Sequence, residues 1–160
     1  MLKLYKNIDG ILHYWETWDK NKKTGIVHWG IAGQTGESKE VSSTLLQSFT
    51  KKIQKEVSAK INERYTEIDI EDHFTLLIEF EVDGMGSNTD LDKRVRLQDK
   101  MDSVLGWAGL GHCDGGSIGS GTMEVCCYVV DFDIAKKVIT ESLNGTEFAD
   151  YTRIYDGNAE

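Results

Sequence analysis

The spacing of apolar residues in this chain of 160 residues switches between a strand-like and a helix-like period, and the pattern restarts after residue 72. A period of two places side chains on alternate faces of a strand, whereas a period of three or four builds one face of a helix. The chain is therefore predicted to be an α+β protein. The acidic segment 67–72 separates two predicted units, residues 1–68 and 73–160, and the chain is short enough for both to pack as one body.

The first predicted unit contains antiparallel strands followed by one helix. The strand segments are rich in aromatic and β-branched residues and are separated by polar, glycine-containing turns; they cover residues 11–18, 26–32 and 38–41. Apolar residues then recur at every third or fourth position from Leu46 to Tyr65. With Thr44 as its capping residue, this spacing predicts an amphipathic helix over residues 44–65 that packs on the sheet.

The second predicted unit has its elements in the order β-α-β-β-α-β. The strands are predicted over residues 74–82, 111–118, 123–129 and 148–155. One helix is predicted over residues 90–105, and a second begins at a cap on Asp133 and ends at residues 144–145. This is the order of the split βαβ, or ferredoxin-like, arrangement.

Acidic residues are concentrated in the second half of the chain. The formal net charge is −9, yet residues 1–70 carry 11 Lys and Arg against 9 Asp and Glu, whereas residues 71–160 carry 7 against 18. Such a surface repels phosphate backbones and anionic membranes and suits a basic partner; the alternative is a solvated surface that only maintains solubility. The candidate partner-binding residues are aspartates on predicted loops or at helix starts: Asp83, Asp90, Asp92, Asp114 and Asp131.

The cysteines and the absence of an apolar leader indicate the compartment. Three cysteines do not suggest a disulfide framework, so Cys113, Cys126 and Cys127 are expected to be buried thiols in a reducing compartment. No apolar run approaches the ~20 residues that span a bilayer, and the N-terminus lacks an apolar signal segment. A cytoplasmic protein without a membrane partner is therefore expected.

No metal, cofactor or catalytic motif stands out. The adjacent pairs 112–113 and 126–127 supply one histidine and three cysteines, but neighbours on a strand point to opposite faces, which leaves too few convergent metal ligands. The glycine-rich stretch 115–121 leads into a strand and lacks the lysine of a phosphate-binding loop. A small enzyme would need a deep pocket that holds His112 or Glu79 with a perturbed pKa. We expect no catalytic residue, metal or cofactor. Glu79 and Glu81 share the outer face of one predicted strand, where paired carboxylates could act as acid and base, but we interpret them as solubilising surface residues.

About the first 67 residues resemble a WGR domain. The resemblance rests on Trp29 and Gly30 at the end of a strand, on the turn 33–36 that follows, and on a lysine-rich helix that closes on Tyr65. In that family, best known from poly(ADP-ribose) polymerases, the module binds DNA ends and partner domains. Ile31 stands where the family motif has an arginine, so the donor fork that would contact phosphate or carboxylate is absent.

Two function classes follow from these patterns. We expect a non-enzymatic, acidic protein-binding module of the bacterial cytoplasm, similar in size and acidity to immunity proteins and antitoxins, that binds a basic protein. The alternative is a nucleic-acid-binding module in the WGR-like unit, although the net charge and Ile31 disfavour it; its candidate residues are Trp29, Lys20, Lys22, Lys23 and Lys39. A small enzyme is the remote alternative. Exposed edge strands would also allow a homodimer.

Overall fold

The computed structural model describes residues 1–159, in which it contains eight strands and three α-helices. All strand pairs are antiparallel and form two separate four-stranded sheets, so the α+β prediction is confirmed. The chain divides into two compact units, Met1–Ile68 and a second unit that begins at Asp69. Residue 160, the last of the predicted C-terminal unit, lies outside the described residues.

The N-terminal unit is a meander of four strands followed by one helix. Its elements are β1 (Leu2–Ile8), β2 (Ile11–Asn21), β3 (Thr24–Ile31), β4 (Glu37–Ser42) and α1 (Phe49–Asn62), and the strands lie side by side in chain order. The sequence pattern predicts three strands, and the structure adds β1. All residues of β1 pair with β2, from Leu2 opposite Thr17 to Ile8 opposite Ile11. Pairing with a neighbour, rather than an apolar pattern of its own, makes this segment a strand.

Helix α1 begins at Phe49 rather than at the predicted Thr44. Its cap is Ser48, whose hydroxyl accepts a hydrogen bond from the Lys51 N–H at 3.3 Å. Residues 43–48 connect β4 to the helix, and Leu46, which the spacing places in the buried stripe, is 99% exposed. The helical spacing therefore continues backwards by coincidence into a segment that the end of β4 forces into a turn.

Helix α1 and the turn 33–36 lie on opposite faces of the N-terminal sheet. The buried cluster under the helix consists of Leu4, Trp15, Val27, Phe49, Ile53 and Val57. On the other face, the turn is held against Tyr14, whose hydroxyl lies 2.9 Å from the Thr35 carbonyl oxygen. Gly36 has φ +69°, and a Cβ there would collide with the Trp29 carbonyl and the Tyr14 hydroxyl. Glycine is therefore required where this turn closes over the sheet.

The C-terminal unit has the predicted β-α-β-β-α-β order. Its elements are β5 (Phe74–Glu81), α2 (Asn88–Trp107), β6 (Gly111–Gly119), β7 (Thr122–Val129), α3 (Phe132–Leu143) and β8 (Arg153–Asp156). The sheet order is β6-β7-β5-β8, so the first strand of the unit lies between its third and fourth. This is the ferredoxin-like arrangement that the element order predicts.

Two element boundaries in this unit differ from the prediction. Asp131, not Asp133, caps helix α3, because its carboxylate oxygen accepts a hydrogen bond from the Ile134 N–H at 2.9 Å. The last strand begins at Arg153, whereas Phe148, where it was predicted to begin, is buried in the preceding turns. A buried apolar residue in a turn fits the alternating pattern of a strand as well as one inside the strand does, so the pattern alone does not show where the strand begins.

The helices of the C-terminal unit cover one face of its sheet. Alternate residues of β5 and β7 are buried there together with a stripe of α2 and part of α3: Leu76, Ile78, Phe80, Met123, Val125, Leu97, Met101, Leu105, Ala135, Ile139 and Leu143. Helix α2 packs on β6 and β7, and α3 packs on β5. The residues between them on β5 and β7 point to the opposite face, so the same alternation that builds the core also builds a polar surface.

Candidate interaction surfaces

Four carboxylates of the C-terminal unit line one open cleft where β5 ends. The cleft has a volume of about 490 Å³ and is lined by Glu79, Glu81, Val82, Asp83, Asp90, Gly121 and Thr122. Two backbone hydrogen bonds shape it: the Val82 N–H donates to the Gly121 carbonyl at 3.0 Å, and the Gly121 N–H donates to the Gly84 carbonyl at 2.7 Å. The end of the strand, the loop after it and the first turn of α2 thereby converge. We call these seven residues the acidic cleft.

Glu79 is the buried carboxylate of the acidic cleft, with 8% of its surface exposed. Its two oxygens accept hydrogen bonds from Nε and Nη2 of Arg153 at 3.0 and 2.9 Å. The guanidinium group also lies 4.0 Å from the centroid of the Tyr155 ring. The hydrogen bonds from Arg153 lower the pKa of Glu79 below its ordinary value of 4.5, against the opposing effect of burial. Glu79 is therefore ionised but already neutralised by a bidentate partner.

Asp90 forms part of the helix cap. Its Oδ2 atom accepts hydrogen bonds from the backbone N–H and the hydroxyl of Ser87, both at 2.8 Å, and the Ser87 hydroxyl accepts from the Asp90 N–H at 3.2 Å. These bonds from Ser87 lower the pKa of Asp90 below its ordinary value. Asp90 is thus a capping-box residue that also places a negative charge at the N-terminus of α2, where the helix dipole favours it.

Glu81 and Asp83 are the uncommitted charges of the cleft. Both are exposed, and neither carboxylate forms an ion pair with any residue of the described chain, 1–159. The cleft therefore combines two carboxylates that support the fold with two that face solvent. Two solvated carboxylates at the mouth of a preformed cleft suit a cationic side chain from a partner.

The other three candidate aspartates lie elsewhere. Asp92 and Asp114 are exposed on α2 and β6, and Asp131 is the half-buried cap of α3. Asp131 follows the end of β7 that pairs with Phe74, whereas the acidic cleft lies at the Glu81 end of β5. The structure thus brings only Asp83 and Asp90 together out of the five residues predicted to contact a partner.

Glu79 and Glu81 also line the acidic cleft, although the sequence analysis does not count them among the partner-binding residues. Both were interpreted as solubilising because glutamates on the outer face of a half-buried strand usually are. The available signal was their position at the end of β5, directly before a loop that carries Asp83. Arg153 carried no signal, because β8 pairs with β5 across 74 residues of chain.

A second polar cluster lies beside Glu79 on the sheet. Glu124 pairs directly opposite Glu79 in the β5–β7 register, and it accepts hydrogen bonds from the Ser117 hydroxyl at 3.1 Å and from the Tyr155 hydroxyl. The bond to Glu124 raises the pKa of Tyr155 to about 12. Tyr155 is therefore protonated at neutral pH and holds the Glu124 carboxylate in place, which lets two like charges occupy adjacent strands.

Two of the predicted nucleic-acid lysines are paired within the N-terminal unit. Lys20 forms an ion pair with Glu40, and Lys39 forms one with Glu56 at 3.0 Å. Lys39 also lies 5.9 Å from the centroid of the Trp29 ring. Trp29 is half-buried and packs against the apolar cluster under α1. Trp29 is thus a packing residue on this surface, and Lys39 lies over its ring.

The remaining two, Lys22 and Lys23, are exposed at the β2–β3 turn. They form no ion pair with any residue from 1 to 159. The structure therefore leaves two of the four candidate lysines available to an anionic partner.

A buried polar network under the turn 33–36 was not predicted. Tyr14, Glu16 and His28 are 2%, 4% and 1% exposed. His28 Nδ1 lies 2.7 Å from a Glu16 carboxylate oxygen, and His28 Nε2 donates to the Thr35 carbonyl at 2.5 Å. Lys3 adds an ammonium group 3.3 Å from the other Glu16 oxygen. The network fastens the turn to the sheet, and it is closed rather than open to a substrate.

Two cysteines are joined rather than free. Cys113 and Cys127 lie directly opposite each other on β6 and β7 and form a disulfide, so the expectation of three thiols is wrong for this pair. Cys126, next to Cys127 on β7, points to the other face of the sheet and is free, as the alternation of side chains along a strand predicts. Burial raises the pKa of the Cys126 thiol, which disfavours the reactive thiolate.

The residues named for enzymatic chemistry do not converge. His112 is exposed, with its ring 5.5 Å from that of Tyr128, whereas Glu79 lies in the open acidic cleft with its pKa lowered by Arg153. Within residues 1–159, no three His, Cys, Asp or Glu side chains are arranged to hold a metal ion.

Comparison with known proteins adds no relative: no protein-family model, no curated protein and no solved structure matches this chain. None of the helices in the described part of the chain is long and apolar enough to cross a membrane. The fold and the geometry of the surfaces are therefore the basis for any functional proposal.

Proposed function

We propose that this protein is a non-enzymatic protein-binding module whose C-terminal unit binds a basic partner protein through the acidic cleft. The observation that supports this proposal best is the pair of exposed carboxylates Glu81 and Asp83, which form no ion pair within residues 1–159 and lie at the mouth of a cleft whose other acids are fixed in place. A lysine or arginine from a partner would replace water around these charges without any rearrangement of the cleft.

The charge of the unit supports the same proposal at longer range. Residues 71–160 carry 18 acidic against 7 basic residues. A field of one sign accelerates encounter with an oppositely charged protein, and the acceleration weakens as salt screens it. A preformed acidic contact and a steering field together fit a dedicated basic target. An immunity or antitoxin-type protein of the bacterial cytoplasm is the role that these properties fit.

The proposed cytoplasmic location can be tested against the cysteines. Structural disulfides are rare in reducing cytosol and common in oxidising compartments. If the Cys113–Cys127 disulfide forms in protein recovered rapidly from its native cells under acid quench, the cytoplasmic location is wrong, while the proposed binding function is unaffected.

The binding proposal is tested by capture from native cell extracts with and without nuclease, followed by mass spectrometry and binding kinetics. The site variant is Glu81→Lys/Asp83→Lys. The matched control is Glu71→Lys/Asp72→Lys, which makes the same charge change at two exposed residues outside the cleft. We expect one basic protein to survive nuclease, and the site variant to slow its association about tenfold and flatten the salt dependence, whereas the control changes it about twofold.

Either of two results would reject this proposal. Equal kinetics for the two variants would show that net charge rather than the cleft governs binding. Capture that disappears entirely with nuclease would instead favour the nucleic-acid alternative in the N-terminal unit.

A further inference from the structure

Two adjacent leucines of the N-terminal unit stand in solvent between β4 and α1. Leu45 and Leu46 are 106% and 99% exposed. The turn that carries them is closed by two hydrogen bonds, from the Thr44 N–H to the Gln47 carbonyl at 2.8 Å and from the Gln47 N–H to the Thr44 hydroxyl at 3.2 Å. We call residues 44–47 the leucine turn. Single exposed apolar residues are ordinary, but here two neighbouring leucines are exposed together on a turn that hydrogen bonds hold in place.

Lysines lie on one side of the leucine turn at the tip of the β2–β3 hairpin. The Ser43 N–H donates to the Lys23 carbonyl at 2.9 Å, so the residue just before the turn is fastened to that tip. Lys22 and Lys23 are both exposed there. Because consecutive Cα atoms are about 3.8 Å apart, Leu45 lies within roughly 8 Å of the fastened residue along the chain.

Lysines also lie on the other side, at the start of α1. Lys51 and Lys55 are exposed on the outer surface of the helix, and the Lys52 ammonium group donates to the Ser42 carbonyl at 2.8 Å. The first turn of α1 contains no acidic residue, although the N-terminus of a helix favours acids and disfavours lysines. Lys51 and Lys52 lie in that first turn, where the helix dipole does not favour a positive charge. We call Lys22, Lys23, Lys51, Lys52 and Lys55 the basic rim.

Few acidic groups oppose the basic rim. Glu40 and Glu56 are paired with Lys20 and Lys39, and Asp19 on β2 is the exposed acid of the neighbouring hairpin. The acidic residues that give the chain its net charge of −9 belong to the sequence after residue 70. The net negative charge of the chain therefore does not predict that this part of the molecule avoids anionic surfaces.

We propose that the leucine turn and the basic rim dock this unit on an anionic lipid membrane. The leucines protrude, so they suit a medium that accepts apolar side chains anywhere beneath a charged surface, whereas a nucleic-acid backbone offers them no apolar contact. Lysine stems extend along apolar surface and keep their ammonium groups at the level of the lipid phosphates. The contact is peripheral, reversible and sensitive to salt. It does not depend on the acidic cleft.

The test measures binding of the full chain to sedimented vesicles of phosphatidylcholine, alone or with about one third phosphatidylserine, at about 0.1 M salt. We expect the wild type to bind the anionic vesicles about tenfold more tightly than the neutral ones. Leu45→Ser/Leu46→Ser should weaken anionic binding about tenfold. Lys22→Gln/Lys23→Gln/Lys51→Gln/Lys55→Gln should remove the preference for phosphatidylserine. Met85→Ser, which replaces a 74% exposed apolar residue of the C-terminal unit, is the control and should bind as the wild type does.

Two outcomes would overturn the docking proposal. In the first, the wild type binds anionic vesicles no better than neutral ones. In the second, the lysine variant loses binding while the leucine variant retains it, which is the behaviour of attraction to any polyanion, nucleic acid included. Circular dichroism of each variant establishes that it is folded, and the exposure of the substituted leucines predicts an unchanged melting temperature.

Discussion

The two four-stranded sheets of this molecule use charged residues in opposite ways. In the N-terminal sheet, Glu16 and His28 are buried at 4% and 1% exposure and hold a turn in place. At the end of β5 in the C-terminal sheet and in the loop after it, Glu81 and Asp83 are exposed and carry no ion pair within residues 1–159. A count of charges in each half therefore does not identify the charges that are available for a contact, because burial decides which charges support the fold and which remain exposed.

The difference follows from what covers each sheet. Helix α1 and the turn 33–36 cover opposite faces of the N-terminal sheet, so polar residues on its second face lose water and must find partners. Both helices of the C-terminal unit pack on one face of its sheet. On the other face, Glu81 stays exposed, and the buried Glu79 pairs with Arg153, whose guanidinium group is exposed.

We expect the largest change in the free energy of unfolding when the buried histidine of the N-terminal unit is replaced, and an exposed histidine of the C-terminal unit serves as the comparison. His28→Ala leaves the buried Glu16 carboxylate without its main partner, so it should lower the free energy of unfolding by about 4 kcal/mol. The matched control His112→Ala removes an exposed ring and should change stability by less than about 0.5 kcal/mol. Urea denaturation of both variants measures the difference. Similar losses would mean that burial of the polar network does not distinguish the units.

Reduction of the disulfide should destabilise the C-terminal unit selectively, because all three cysteines lie there. The bond closes a loop with a sequence separation of 14, and a loop of that size stabilises a fold by about 3 kcal/mol. Hydrogen exchange should therefore accelerate in β6 and β7 but not in β1–β4 when reductant is added.

Alkylation supplies the control for that experiment. Before reduction, only Cys126 should be labelled in the denatured protein, and Cys126→Ala should abolish labelling without altering the response to reductant. Labelling of three thiols in air-oxidised protein would contradict the disulfide.

A smaller effect separates acidic residues that cap a helix from those that only flank it. Asp131→Ala removes the side chain that accepts the Ile134 N–H bond and should cost about 1 kcal/mol. Asp133→Ala, at the residue that the sequence predicts as the cap, should cost about 0.3 kcal/mol through the helix dipole alone. Thermal unfolding of the two variants decides between the two capping assignments. A larger loss of stability for Asp133→Ala would instead identify Asp133 as the cap.

The smallest effect is the pH dependence of the Glu79–Arg153 pair. Because the folded pKa of Glu79 lies below its ordinary value of 4.5, the ionised group stabilises the fold above that pH, and the stabilisation is lost as the pH falls towards the folded pKa. Glu79→Gln should cost at most about 1 kcal/mol at pH 7, since Arg153 is exposed, and less at acidic pH. Glu81→Gln, on the same face, is the control and should show no comparable change between the two conditions. A cost of Glu79→Gln that grows on acidification would contradict the sign of the shift.

The sequence predicts the C-terminal unit better than the N-terminal one. The clean alternation of β5 and β7 and the spacing within α2 and α3 identify the element order, which the sheet order then confirms. In the N-terminal unit, β1 is missed and α1 is started too early at Thr44. The resemblance of this unit to a WGR domain stays a prediction, and its order of four strands and a helix includes one strand more than the resemblance was based on.

The acidic cleft could be predicted only in part. The sequence predicts Asp83 and Asp90 as partner-binding residues because they lie on a loop and at a helix start, and both line the cleft. Glu79 and Glu81 were assigned to the correct face of β5 but not to a site, because the alternation of a strand gives the face and not the neighbours. The same criterion also selects Asp92, Asp114 and Asp131, which do not line the cleft.

The type and order of most elements follow from the sequence alone, since side-chain period is a local property of the chain. Which residues remain exposed to solvent depends on how those elements pack. Leu46 fits a helical stripe yet is exposed because the end of β4 bends the chain before α1 begins. Glu16 and His28 fit an outer strand face yet are buried because a turn folds over them. Cys113 and Cys127 are joined because antiparallel pairing sets them opposite each other. Each of these outcomes depends on how strands, turns and helices pack against one another, which no local period encodes.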